Sequence, residues 1–317
     1  MLGPMLTDEI SGAPCCLAAP LASRGVTLPM RPLRDEEGLR LAATLPPVVD
    51  AHVHLFPDRV FEALWRWFDG NAWPVRYKLQ TPKVLDFLFS RGVSQLVALH
   101  YSHKPGMARV LNDYVAALCE QEPRIIGVAT VFPGEPGAVS ILRDGFAKGL
   151  RGVKLHCHVQ TFSPDAPELN ELYQACVDAK RPLVMHAGRE PVSRGYKVDP
   201  YTLCAVERVE HVLKNYPALK LCVPHLGVDE FDGYADLLER YDNLWLDTTM
   251  VVADYFPFEV PRRLFDIRPD RVLYGTDFPN IPYAWDRELK HLTALKLPSH
   301  DEAALLGANA LRLFGVA

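Results

Sequence analysis

Short apolar runs alternate along this chain with amphipathic stretches, and the alternation repeats eight times. The runs are "PVVDAHVHLF" (47–56), "VSQLVALHY" (93–101), "RIIGVATVF" (124–132) and "GVKLHCHV" (152–159). After them come "PLVMHAG" (182–188), "LKLCVPHLG" (219–227), "LWLDTTM" (244–250) and "VLYGTDFP" (272–279). β-Branched and nearly continuous in hydrophobicity, they read as parallel strands covered on both faces. Helical patterns such as "ELNELYQACVDAK" and "DEFDGYADLLERY" lie between them. Eight such units within about 270 residues predict an α/β fold, a (β/α)8 TIM barrel. An open doubly wound sheet usually shows a Gly-x-Gly-x-x-Gly turn after its first strand. This chain has "HLFPDR" there.

Two additions frame the barrel. Residues 1–45 are expected to form an N-terminal extension and residues 46–317 the barrel domain. Rich in Pro, Gly and small side chains, the stretch from Met1 to about Leu33 reads as a loose arm. The second addition is an insertion between the first strand and its barrel helix (a β1–α1 insertion), containing "FEALWRWFDGNAWPVRYKL". Phe61, Leu64, Trp65 and Phe68 keep helical spacing there and predict a core-facing stripe. Trp67 and Trp73 fall off that stripe. They are candidates for one wall of a pocket, because extended βα loops stand at the catalytic end of a barrel.

The polar residues of the runs concentrate at their C-terminal ends. In a strand, residues i and i+2 share a face, so His52 and His54 look the same way. Two imidazoles converging on one spot suit a metal ion better than an apolar core, where each polar nitrogen needs a partner. A barrel gathers all eight strand ends into one ring. That ring would hold His52 and His54 from the first strand and Lys154, His156 and His158 from the fourth. His186, His225 and Asp277 would join from the fifth, sixth and eighth, with His100 and His103 near the end of the second. His211, His291 and His300 fall in helices or late loops. Several neutral imidazoles and a carboxylate suit a divalent cation, Zn²⁺ first, with Mn²⁺, Fe²⁺ or Co²⁺ compatible.

Composition narrows the partners. A formal net charge of −5 over 317 residues argues against nucleic acid or anionic membrane as the main partner. No apolar run reaches the length of a transmembrane helix, and "CCLAAPLA", preceded by acids, is a poor secretory signal. Seven scattered cysteines do not read as a disulfide framework, so a reducing, cytoplasmic setting is expected. Cys157 and Cys222 fall in predicted strands as apolar filler, and Cys15-Cys16 reads as an incidental pair. The expected partner is a small-molecule substrate. Homodimerisation through an exposed Pro-rich loop such as "YFPFEVP" is compatible with the chain.

"DAHVH", "LVMHAG", "VPHLG" and "LYGTDFP", in this order, resemble the amidohydrolase superfamily and more narrowly its amidohydrolase-2 branch. "LLGANALRLFG" (305–315) is similar to the closing helix of that branch. The resemblance implies that His52, His54, His186 and Asp277 bind the metal. It makes His225 either a ligand of a second metal or a catalytic group over the substrate. Lys154 would be either a carboxylated bridge between two metals or a plain buried lysine. The branch more often holds one ion, which is the expectation here. His156 and His158 would touch substrate or support a ligand.

The activity implied is hydrolysis of an amide, lactone or ester by a metal-activated water, with Asp277 moving the proton. The alternative is metal-dependent, non-oxidative decarboxylation of an aromatic or unsaturated acid. In it, Arg189 of the loop after the fifth strand would clamp a carboxylate. A non-catalytic metal-binding relative is the third reading.

Overall fold

The computed structural model describes residues 25–316. The Cys15-Cys16 pair and the start of the extension therefore lie outside the described residues. Each of the eight runs contains one strand: β1 Val49–His54, β2 Gln95–Leu99, β3 Ile125–Gly127, β4 Val153–His156, β5 Leu183–His186, β6 Leu221–Val223, β7 Leu244–Asp247 and β8 Val272–Leu273. Neighbours pair in parallel, β1 to β3 in one sheet and β4 to β8 in another. Bonds cross both seams. Ala129, just past β3, bridges to Val153, and Lys154 N donates to Ala129 O at 2.8 Å. On the far side Val53 bridges to Phe278, while Ala51 N donates to Tyr274 O at 2.9 Å.

Alternation sorts the strand residues into two cores. Val153, Leu155, Leu183, Met185, Leu244 and Leu246 pack outward beneath the helices. The helix Val206–Asn215 meets that layer with Val209, Val212 and Leu213, an i, i+3, i+4 stripe. Val49, Ala51, Val184, Cys222, Trp245 and Leu273 face inward and form a separate cluster. The C-terminal helix Asn309–Phe314 closes that cluster with Ala310, Leu313 and Phe314. Asn309 ties it to the entry of β8, donating to Val272 O at 2.7 Å.

Three local departures from regular geometry shape the opposite end. In β1 the register runs Asp50 to Leu96 and then Val53 to Ala98, so Ala51 and His52 share one facing residue. A bulge of this kind shifts the alternation by one, which leaves Ala51 inside and brings His52 and His54 inside as well. β4 ends at His156, earlier than the expected 159, and Cys157–Gln160 form a single helical turn. Gln160 imposes that turn: its Oε1 accepts from His156 N and its Nε2 donates to Val131 O, both at 2.8 Å. His158 and Cys157 therefore ride a turn and not a strand. β6 ends at Val223, and His225, at φ 58°, opens a short turn.

One expectation about the periphery needs correction. The described part of the arm is not loose, because Met30 N and Leu33 N donate to Ala72 O (2.8 Å) and Pro282 O (2.9 Å). In the "YFPFEVP" loop Tyr255 and Phe256 are buried and pack on Trp73, while Pro257 and Glu259 are exposed. Among the described residues no helix is long and apolar enough to cross a membrane, and five cysteines are free.

Candidate active site

Three rings at the open end are oriented by acceptors on Nδ1. His52 Nδ1 donates to Asp247 Oδ2 at 2.9 Å, His54 Nδ1 to Leu99 O at 3.2 Å, and His225 Nδ1 to Thr249 O at 2.9 Å. A carbonyl only accepts, as does an ionised carboxylate, so the network assigns a hydrogen to Nδ1 of each ring. The Nε2 atoms of His52 and His54 both face Asp277 Oδ1, at 3.3 and 2.8 Å. An Nε2 lone pair facing that anionic oxygen repels it unless a proton or a cation lies between the two atoms. The ligand atoms of these three buried residues lie within 4.8 Å of one another. They fit a divalent cation: two imidazoles held by acceptors behind them, and one carboxylate.

The backbone builds this geometry at some cost. Asp277 sits at φ 69°, uncommon outside glycine, and is held there as its N–H donates to His52 O at 2.9 Å. A Cβ at Gly275 would lie 2.7 Å from His52 Cβ, so only glycine lets this segment run against β1. Asp247 Oδ1 also accepts from His225 N (3.0 Å) and Thr249 N (3.2 Å), which couples β1, β6 and β7 through one carboxylate.

Burial, reinforced by the Lys154 charge, pushes His52 down to about 4, so the ring is neutral at pH 7. Burial would raise the Asp277 carboxyl, but neighbouring His54 outweighs it and holds Asp277 down to about 2. Burial likewise lowers Lys154 to about 8 against the pull of Asp247 and Asp277. The Lys154 Nζ has no hydrogen-bond partner among the described residues. In register with Val184, it sits one layer beneath the His156–His186 pair.

A second histidine group stands beside the first. His156 stacks on His186 with centroids 4.0 Å apart, and His158 packs edge-on to His186 at 4.9 Å. His186 Nδ1 lies 3.2 Å from His225 Nε2, and its Nε2 lies 3.3 Å from Glu190 Oε2. The ligand atoms of His156, His158 and His186 also fall within 4.8 Å of one another. His158, however, has acceptors at both nitrogens: Glu190 Oε1 at 2.8 Å from Nδ1, and Gly188 O at 3.1 Å from Nε2. With no ion between it and Glu190 it donates from both and is charged, as His54 is between Leu99 O and Asp277 Oδ1. Burial opposes that charge, yet Cys204 and Glu190 raise the ring to about 10. Such a ring has no lone pair for a metal.

The structure thus brings His52, His54 and Asp277 together, with the His225 ring 5.5 Å from His52 and the His186 ring 4.5 Å from His225. Arg189 is not there. Its Nη1 pairs with Glu230 at 2.8 Å and its Nε donates to Cys204 O at 2.7 Å, which takes it away from the expected carboxylate clamp. Trp73 does border the site, its Nε1 donating to Asn280 O at 2.7 Å. The sequence reading missed Asp247, Glu190, Tyr101 and Tyr196. Asp247 carried a signal, since a carboxylate inside an apolar strand is costly unless partnered. The others sit in loops without periodicity. His52, His54, His156, His158, His186, His225, Lys154, Glu190 and Asp277 open into one cavity of about 750 Å³, with Trp67, Phe68, Trp73, Tyr101, Tyr196 and Phe256 in its walls.

A family model described as amidohydrolase matches residues 49–316. No curated protein matches the chain in sequence. Among solved structures, a 5-carboxyvanillate decarboxylase from Sphingomonas paucimobilis is similar at TM-score 0.63 and 18% identity, over 88% of this chain and 100% of that one. A 5-carboxyvanillate decarboxylase from Novosphingobium aromaticivorans, complexed with manganese and 4-hydroxy-3-methoxy-5-nitrobenzoic acid, matches at TM-score 0.59 and 17% identity, over 89% and 99%. A probable 2-pyrone-4,6-dicarboxylic acid hydrolase from Acinetobacter baumannii, with citric acid bound, matches at TM-score 0.55 and 16% identity, over 85% and 99%. At these identities the likeness establishes the shared barrel fold.

Proposed function

The chain belongs to the amidohydrolase family, and from that premise we propose that it is a metal-dependent, non-oxidative decarboxylase of an aromatic carboxylic acid. One observation carries the reading: an aromatic-walled cavity ends on the inward Nε2 atoms of His52 and His54 and on Asp277. Similar structures include decarboxylases, one of them with manganese and a substituted benzoic acid, which supports it further.

His52, His54 and Asp277 would hold the cation, with His225 and His186 adjacent. When bound, the ion supplies positive charge that polarises a carboxylate or carbonyl oxygen. Zinc and manganese both suit this donor set. One ion is proposed rather than two, because His158 spends both nitrogens on Glu190 and Gly188.

The chain's own residues do the rest. Tyr101 and Trp73 orient the aromatic ring and exclude water. Asp277, ionised at neutral pH, takes a proton from a substrate hydroxyl beside the departing carboxylate. It returns that proton to the ring carbon as the C–C bond breaks and carbon dioxide leaves. The same ionised carboxylate could take a proton from water, and this favours hydrolysis of a lactone, ester or amide as the second reading.

The test is to assay purified protein for metal, strip it, reload it with manganese or zinc, and offer hydroxybenzoates alongside lactones and amides. Release of carbon dioxide is expected. Ester or lactone cleavage without it would transfer the assignment to hydrolysis, and bound metal without any turnover would indicate a binding relative. A preparation that takes up no divalent ion would overturn both catalytic readings.

A further inference from the structure

The cavity exceeds what a one-ring acid fills. Its volume of about 750 Å³ corresponds to roughly twenty-five waters at ~30 Å³ each, room for a ligand of about that many non-hydrogen atoms. Its wall is continuous in aromatic contact. Tyr196 touches Trp67 at 5.2 Å between centroids, Trp67 touches Phe68 at 5.3 Å, Phe68 touches Trp73 at 5.3 Å, and Trp73 touches Phe256 at 5.7 Å. The histidines join this wall at Tyr196, which meets His158 at 5.4 Å. Flat ligands of more than one ring match such a surface.

The charges around the cavity are one-sided. Its acids are Glu190 and Asp277, and both are bonded to histidines. Its outer charged groups are Arg59, Lys104 and Lys197, all exposed. They come from three separate segments: the helix Asp58–Asn71, the loop after β2 and the loop after β5. None forms an ion pair among the described residues. Scattered surface cations need no special account. Three that line one cavity whose lining acids are only Glu190 and Asp277, in a chain of net charge −5, form a local field for an anion.

We propose that the substrate is an elongated aromatic acid of two or more rings bearing a second anionic group. Arg59, Lys104 and Lys197 hold that distal group at the rim, while the reacting carboxylate lies among His52, His54 and Asp277. The inference rests on the assignment above only in taking the histidine end as the reacting end.

Binding without turnover tests it separately from the reaction. Calorimetric titration of the manganese-loaded chain would compare benzoate, 2-naphthoate, naphthalene-2,6-dicarboxylate and the longer biphenyl-4,4′-dicarboxylate. At least one diacid is expected to bind tenfold or more tightly than 2-naphthoate, and 2-naphthoate more tightly than benzoate. In the triple variant Arg59→Gln, Lys104→Gln, Lys197→Gln, the diacid advantage should collapse to within about threefold. It should also shrink at high salt in the parent chain. Equal affinity for benzoate and the larger acids, or a diacid advantage that survives the triple variant, would overturn the proposal. Because no product need form, a failure of decarboxylation leaves this result readable.

Discussion

The two ends of the barrel interior are built from the same strands and obey opposite rules. At the closed end Val49, Val184, Trp245 and Leu273 interlock under Leu313 and Phe314, every one an apolar side chain with little exposure. Two residues further along the same strands, the inward positions become His186 and Asp247. In β4 the change falls one layer earlier, at Lys154. Burial that stabilises the first set costs free energy for the second, because each polar group must find a partner or remain unsatisfied. The difference teaches which end was shaped by packing and which by chemistry. It also predicts that substitutions at the two ends separate stability from activity.

The largest expected effect is at the mouth. Asp277→Asn keeps the shape but removes the negative oxygen that both β1 histidines face, and kcat should fall by about 10²–10⁴-fold. Unfolding midpoints of the apoproteins should stay within a few degrees of each other, which circular dichroism will show. At the closed end Phe314→Ala should cost about 3–5 kcal/mol of stability. Steady-state kcat/KM per folded molecule should then change by less than about threefold. A large loss of turnover there would blur the distinction between the ends.

Lys154 joins the two regimes, since it is charged chemistry at packing depth. Its folded value of about 8 lies below the ordinary 10.5, so between these values the unfolded chain binds more protons. Stability of the apoprotein therefore rises with pH across that window, and below about pH 8 the full cost is present. Lys154→Met should stabilise the apoprotein at pH 7, by up to something on the order of 3 kcal/mol, while lowering activity. Denaturant titrations at pH 7 and pH 10 check this, the gap narrowing at the higher pH. A parent protein more stable than the variant at pH 7 would mean that Lys154 is paired. The smallest effect belongs to Asp247→Asn, which loosens His52 and should weaken metal affinity by about 10–100-fold. Competition with a chelator measures it.

Much of this contrast was legible in the sequence. The eight runs contain the eight strands because inward and outward strand faces are both buried, and buried strands must be apolar on both. The inward turn of His52 and His54 could be read from their spacing, but not the bulge that puts Ala51 on the same side. The bulge is a register choice between β1 and β2, and neither strand's own pattern records it. His158 was misplaced on the strand because Gln160 pulls the chain into a turn, an interaction between side chain and backbone that leaves no periodic trace. Arg189 was misdirected for a related reason: Glu230 and Cys204 O claim it, and both come from later elements. The rim of Arg59, Lys104 and Lys197 was invisible along the chain, being assembled from one helix and two loops only by the fold.

Crystals soaked in manganese and measured for anomalous scattering would test the central claim most directly. The account predicts a single strong peak per chain, enclosed by His52 Nε2, His54 Nε2 and the Asp277 carboxylate. No peak there, or a peak that settles instead between His156 and His158, would contradict it.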